Sequence, residues 1–478
     1  ELERLAGQRD LLSTPPDIRP PREGDLFRLK KPPPQAPAED LALQATLDSL
    51  QDKAVGLRPG AVVIWAGPGT GKTCTLTAWL AACIAEDGID PQKACAITFT
   101  IKARDELRER LLRLVGARAK QITIATFHGL CFKILQELSN RERILYSEEG
   151  RRALLRFLEP SFSPAKVAEV SERLEKWLET GQPDPSPELQ ALAERYAEAL
   201  DKLKAYDVSG LVTTVNRLAQ EHLGFREYLA RLFEVIAVDE FQDCNEAQYH
   251  FLSFLIGISA QEEGRKALRR KRVLVIGDPH QAIYSFRGGD PRLFFRFQND
   301  FQATFTSLDT NYRSQKLIVE AAEAVIEHNH LKRGLKLKAH RAAGAKIQVA
   351  ELIDSDEEAA FIANLIQTLV GGTDLNRDKA LSTQSTYSLA EIAVLARTNQ
   401  LLEGLAVGLA RQGIPIWLAT GRLYLNEPPL ELLMACLRFF VRPADFLAFK
   451  QLLAGFLPQL SKVSLQSLLE AFFQAQQL

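Results

Sequence analysis

No run of 18 uncharged apolar residues occurs in the 478-residue sequence, which excludes a helix hydrophobic enough to span a bilayer. The six cysteines (74, 83, 95, 131, 244 and 436) lie far apart with no CxxC pair. That spacing excludes an evident zinc site or disulfide framework and leads us to expect a reducing, cytoplasmic setting. A surplus of either charge is missing too: 59 basic and 60 acidic residues give a net charge of −1. Such a total neither favours nor excludes a nucleic-acid partner, because local clusters matter more than sums. There is no internal repeat. The opening Glu1-Leu2-Glu3-Arg4 is neither a signal peptide nor an initiator methionine, so the chain is expected to begin inside a longer polypeptide. What is present, 46% hydrophobic and 25% charged residues, is the composition of a soluble globular protein of roughly three domains.

The most informative stretch is AVVIWAGPGTGKT at 61–73. Ala61–Trp65 is an apolar run too short for an independent helix, as expected of a parallel strand buried on both faces. A glycine-rich turn follows, then Lys72-Thr73, then Leu76, Trp79, Leu80 and Ile84 at helical spacing. Gly67, Gly69 and Gly71 allow consecutive backbone N–H groups to face phosphate oxygens, and the helix N-terminus adds positive potential. Ala66, Pro68 and Thr70 complete this expected nucleotide cradle. Lys72 is placed to reach the outer phosphates and Thr73 to bind Mg²⁺. A glycine turn capping an ordinary helix is the plain alternative.

Before this stretch, residues 1–40 hold eight of the 23 prolines and read as an extended linker. After it, short apolar runs at Ala94–Thr98 and Ile122–Ala125 alternate with amphipathic helices, the rhythm of a parallel sheet. Between about 140 and 205 the rhythm gives way to a helical insertion, with Ser163-Pro164 and Ser186-Pro187 as N-cap and N1 pairs. Strands resume at Val235–Val238, Val273–Ile276 and Thr304–Leu308. A second α/β pattern follows, with strands at Ile347–Leu352, Glu391–Ala396 and Ile414–Leu418 and helices at Glu357–Val370 and Leu401–Gln412. Helix is expected after Pro428-Pro429. Three basic clusters, Lys102–Lys120, Arg265–Arg272 and Lys332–Arg341, each read as a solvated face or a nucleic-acid contact.

Hydrolysis of a nucleoside triphosphate needs a metal, an attacking water and charge cancellation. Asp239, at the end of an apolar strand, suits the Mg²⁺ shell, and Glu240 can orient and deprotonate water. Gln281, after the next strand, is placed to report loss of the γ-phosphate, and Arg313 to supply positive charge across a domain cleft. Phe99, Phe127, Tyr284 and Phe286 follow strands beside His128, Arg287 and Lys102, a mixture of rings and cations that suits single-stranded nucleic acid. Core packing and a surface ion pair are the ordinary readings of such aromatics and of Arg313.

Taken together, LDSLQ at 47–51, AGPGTGKT at 66–73, TFTIKA at 98–103, TFHG at 126–129, VDEFQD at 238–243, GDPHQAIYSFRG at 277–288 and NYRS at 311–314 resemble the UvrD/Rep family of superfamily 1 DNA helicases. The resemblance runs from about 41 to 425. It implies an α/β fold: a RecA-like P-loop NTPase domain with a parallel sheet (41–135 and 206–310), a helical insertion (136–205), a partial second RecA-like domain (311–425) and the start of a second insertion (426–478). It implies that Gln51 reads the adenine edge, that Tyr312 stacks on the ring, and that Lys72, Thr73, Asp239, Glu240, Gln281 and Arg313 serve ATP hydrolysis with Mg²⁺. Phe99, Lys102, His128, Tyr284, Phe286 and Arg287 would bind single-stranded DNA or couple it to the nucleotide. The implied activity is 3′–5′ translocation and unwinding at single-strand/duplex junctions in repair or recombination, with no membrane partner.

Three departures qualify this. Cys74 stands where the family carries an arginine of the adenine sandwich, Ile101 stands where it carries asparagine, and the last two helicase motifs are absent. The chain is therefore expected to be a piece of a longer protein or a degenerate paralogue. A nucleotide-binding module that docks on DNA or a partner without motor activity is the rival reading. An upstream domain fused through the proline-rich start, or a repair partner, also stays open.

Overall fold

The computed structural model describes residues 47–58, 60–139, 143–257, 271–285, 288–329, 335–370, 387–418 and 428–475. The stretch 1–40 expected as a linker, Phe286, Arg287 and most of Arg265–Arg272 lie outside the described residues. Two compact units are present: the described residues up to Ala345 together with those from Arg442 onward, and Lys346–Val441.

The first unit begins with α1 (Ser49–Val55), whose N-cap Asp48 forms a reciprocal capping box with Gln51. Strand β1 (Gly60–Ala66) leads through the glycine turn into α2 (Lys72–Ala85). Then come β2 (Ala94–Thr98), α3 (Ile101–Val115), β3 (Thr123–Thr126) and α4 (Phe127–Ser139). The insertion holds β4 (Ile144–Tyr146), α5 (Glu148–Leu158), α6 (Pro164–Thr180), α7 (Pro187–Lys202) and β5 (Ala205–Asp207). Ser163 and Ser186 do cap α6 and α7 with proline just inside each helix. The two-stranded parallel pairing of β4 with β5 closes the insertion at its base, a feature that three-residue strands do not announce.

The chain returns through α8 (Leu211–Glu221) and α9 (Leu223–Leu232) to β6 (Val235–Val238), α10 (Glu246–Ile256), β7 (Arg272–Gly277), α11 (Arg292–Asp300) and β8 (Thr304–Leu308). Six parallel strands form one sheet in the order β3-β2-β6-β7-β1-β8. Its alternating residues feed two separate cores. Val63, Trp65, Ile97, Ile236 and Val275 pack beneath α4, α8 and α10, while Val62, Ile64, Ala96, Ala237 and Ile276 pack beneath α2 and α3. Burial on both faces explains why these strands read as continuous apolar runs.

Beyond β8, β9 (Thr310–Asn311), α12 (Lys316–Ile326) and β10 (Lys338–Ala339) belong to the same compact unit. The described residues of 311–345 thus group with the sheet-bearing unit.

The second unit contains α13 (Ser355–Val370), α14 (Asn399–Arg411) and α15 (Pro428–Val441). The three strands expected here are not formed: 347–352, 392–396 and 414–418 are irregular. Their period-two pattern is partly realised as one-sided burial, since Ile392, Val394 and Ile414 pack on Ala363, Ile366 and Leu409. A strand also requires a hydrogen-bonding neighbour, and none is supplied among the described residues; Val349 and Leu395 stand 93% and 90% exposed.

Helices α16 (Phe446–Phe456) and α17 (Lys462–Ala475) return to the first unit and pack on the insertion. Phe446 meets Phe157 edge-on at 5.0 Å, and Phe449 stacks on Phe472. Among the described residues no helix is long and apolar enough to cross a membrane.

Candidate nucleotide site

The functional side chains converge at the C-terminal ends of β1, β6 and β7, the edge where open parallel sheets bind ligands. Gly69 and Gly71 adopt φ of +68° and +84°, the left-handed region that glycine enters without strain. Gly71 is the N-cap of α2, with Lys72 and Thr73 as its first residues. The Thr70 hydroxyl donates to the Gly67 carbonyl at 2.8 Å and ties the loop across itself.

The loop is also held from outside. Asn311 Nδ2 donates to the Pro68 carbonyl at 2.6 Å, and the Tyr312 N–H to the Gly69 carbonyl at 2.9 Å. Asn311 Oδ1 accepts the N–H groups of Arg313 and Ser314, forming the turn that presents Arg313. Arg313 thus stands beside the loop, within one compact unit, exposed and without an ion pair among the described residues. Gln51 is buried, with Nε2 donating to the Thr70 carbonyl at 2.9 Å and Oε1 accepting the Asp48 N–H. Its amide therefore supports the loop directly. Tyr312 donates its hydroxyl to Asp48 Oδ2 at 2.5 Å, a bond that, with burial, pushes the phenol up to about 12. Cys74 follows in the first turn of α2, partly exposed and unpaired to sulfur.

Asp239 and Glu240 sit where β6 ends. Asp239 is buried, and burial pushes its carboxyl up to about 7; the Glu240 charge adds to the rise while Lys72 opposes it. Glu240 has φ of +48°, unusual for a residue with a side chain and costing on the order of 1 kcal/mol. Its Oε2 lies 3.2 Å from Lys72 Nζ. Lys72 Nζ also donates to Gln281 Oε1 at 3.4 Å. Gln281 Nε2 donates to Asp278 Oδ2 at 2.7 Å, and Asp278 Oδ1 accepts the indole N–H of Trp65 from the adjacent strand at 3.0 Å.

Lys72 thus contacts both of the other predicted residues, Glu240 and Gln281. Sequence reading missed Asn311, Asp278, Trp65 and Gln242. For Asn311 an Asx-type turn ahead of Arg313 was an available signal; the other three join residues from neighbouring strands.

The donor set fits Mg²⁺ bound with a nucleotide. Among the described residues no group of three or more His, Cys, Asp or Glu could hold a metal. One buried carboxylate and one hydroxyl, Asp239 and Thr73, match an ion that takes its remaining ligands from phosphate and water.

The expected DNA contacts are spread along the same sheet edge. Phe99 is half-buried, edge-on to Phe127 at 5.9 Å, while Phe127 itself is core. Lys102 is exposed at the start of α3, and His128 is half-buried at the start of α4. Tyr284 is half-buried, its carbonyl accepting the Gly289 N–H.

Comparison with known proteins adds the family. The profile of the UvrD/REP helicase N-terminal domain matches residues 47–302, and that of the UvrD-like helicase C-terminal domain matches 306–477. The chain is 31% identical over 451 residues to the ATP-dependent DNA helicase UvrD1 of Mycobacterium bovis, covering 88% of this chain and 56% of that protein. It is 28% identical over 433 residues to the ATP-dependent DNA helicase PcrA of Staphylococcus epidermidis, covering 86% and 56%. The chain spans about half the length of these curated relatives.

Proposed function

This chain belongs to the UvrD/REP helicase family, and from that premise we propose that it binds ATP with Mg²⁺ and hydrolyses it in response to single-stranded DNA. The observation that carries the proposal is the convergence of Lys72, Glu240 and Gln281 at the mouth of the glycine loop. Thr73 and Asp239 would hold Mg²⁺, which when bound offsets phosphate charge and polarises the terminal phosphoryl group.

The roles of the protein groups follow from their positions. Backbone N–H groups of the loop orient the phosphates, and Lys72 exchanges Glu240 for the outer phosphate oxygens. Glu240 then accepts a proton from water as its oxygen bonds to the γ-phosphorus and the bridge to the β-phosphate breaks, releasing ADP and phosphate. Gln281 contacts the departing phosphoryl group and transmits its loss to β7. Arg313 adds positive charge beside the loop.

Phe99, Lys102, His128 and Tyr284, along the edge of the same sheet, supply stacking faces and cations for single-stranded DNA. In this reading residues 41–135 and 206–310 form the ATPase domain, and 3′–5′ translocation with junction unwinding is the work of the whole protein, in repair or recombination. Steady-state ATPase assays with and without single-stranded DNA test the proposal. Lys72→Ala and Glu240→Gln should each lower turnover at least about 100-fold. Nucleotide binding with no hydrolysis, DNA present or not, would favour a docking module instead.

A further inference from the structure

Gln242 is a buried glutamine two residues beyond Glu240, 2% exposed, with both ends of its amide engaged. Its Nε2 donates to Glu240 Oε2 at 2.9 Å and lies 3.4 Å from Asp243 Oδ2. Its Oε1 accepts the backbone N–H of Asp278 at 3.0 Å. The opposite amide orientation would set N–H against N–H and oxygen against carboxylate, so the network fixes the assignment.

These bonds complete a ring. From Lys72 it passes to Glu240, through Gln242 to the backbone of Asp278, from the Asp278 carboxylate to Gln281, and back to Lys72. Gly277 makes room for it: a Cβ there would lie 2.3 Å from Gln242 Oε1 and 3.0 Å from the Phe241 nitrogen.

Lys72 and Gln242 contact the same oxygen of the Glu240 side chain. Lys72 must turn towards phosphate when nucleotide binds, because one ammonium cannot neutralise both groups at full strength. Among the described residues, Gln242 is then the remaining side-chain hydrogen-bond partner of the Glu240 carboxylate. It is anchored to the end of β7, the strand that leads into Gln281.

We infer that Gln242 is a positioning residue: it holds Glu240 in the orientation that activates water and couples that orientation to Gln281 through the end of β7. The inference rests on the hydrolytic reading above. Gln242 itself touches no phosphate-loop residue through its amide, so its effect falls on turnover and not on nucleotide binding.

The test is a double-mutant cycle in the full chain, read by single-turnover ATP hydrolysis with single-stranded DNA and by binding of a fluorescent ATP analogue. Gln242→Met should lower kcat about 10- to 100-fold, the range expected when a reacting group is misplaced by a fraction of an ångström to one ångström. KM and analogue affinity should stay within about twofold. In a Glu240→Gln background the same substitution should cost little more, because it acts through the carboxylate already removed. Gln242→Asn keeps a neutral amide that is one methylene shorter, so it cannot span from the Asp278 N–H to Glu240. It adds no buried charge and should show the same kcat loss, which keeps the inference testable if Gln242→Met does not fold. Unchanged kcat in a folded variant, or an equal loss in the Glu240→Gln background, would overturn the inference while leaving the hydrolytic reading intact. Absence of turnover in the unsubstituted protein would overturn both.

Discussion

Arg151, at the centre of the helical insertion, offers a prediction whose size follows from the geometry. Its guanidinium is 1% exposed and its carboxylate partner Asp207 is nearly as buried. Nη1 donates to both Asp207 oxygens at 3.0 and 3.1 Å and to Ser209 Oγ at 3.3 Å, and Nε donates to Ser171 Oγ at 3.1 Å. Nη2 lies 2.9 Å from Glu175 without hydrogen-bond alignment. The Tyr196 hydroxyl donates to Asp207 at 2.6 Å, and the Ser209 N–H at 2.9 Å. Arg151→Met keeps most of the volume and strands a buried carboxylate with two neutral donors. Breaking a buried pair by removing one partner costs roughly 3–5 kcal/mol, and the two surviving donors place this case near about 3. That is a large fraction of the stability of an ordinary domain. Urea unfolding together with amide exchange in α5 and β5 measures it, and adding Asp207→Asn should recover about 1–2 kcal/mol. A loss under about 1 kcal/mol, or no recovery in the double variant, would refute the reasoning, since that is the behaviour of a surface pair.

Two further predictions concern the sheet. Gly277→Ala should destabilise by about 2–5 kcal/mol, from overpacking against Gln242 and loss of its bond to the Asp278 N–H; a neutral change in urea midpoint would count against the described contact. Lys271 is buried and donates to the carbonyls of Ala230 and Leu255 near the ends of α9 and α10, and burial pushes it down to about 8 from 10.5. The unfolded chain then binds more protons between those values, so stability should rise with pH through that window. The neutral amine still has two N–H groups for the two carbonyls. Relative to Lys271→Met, the wild type should gain about 2 kcal/mol between about pH 7.5 and about pH 9.5, and a flat difference in urea stability would exclude the burial effect.

How much of this was legible in the sequence depended on whether a residue's role is local. Strands buried on both faces read as apolar runs, so β2 and β6 fall where their composition places them. Ser-Pro pairs marked α6 and α7 because cap chemistry is complete within four residues. The strands expected at 347–352, 391–396 and 414–418 did not form, although Ile347 and Val349, Ile392 and Val394, and Ile414 and Ile416 alternate there. Alternation predicts one-sided burial, as Ile392 and Val394 show, but a strand also needs a neighbour to accept its N–H groups. At the site, the glycine loop and Asp239-Glu240 stand at strand ends, as expected, because each directly follows an apolar run. Gln242, Asp278 and Trp65 were not legible, because their partners come from adjacent strands far apart in the chain.

The central claim is that Glu240, held at the mouth of the loop, activates water for ATP hydrolysis. The most direct measurement is single-turnover hydrolysis of Mg-ATP by this chain with single-stranded DNA, beside Glu240→Gln under the same conditions, with analogue binding measured for both. Turnover in the wild type, its loss in Glu240→Gln and equal nucleotide affinity are the predicted result. Equal turnover in the two proteins would contradict it.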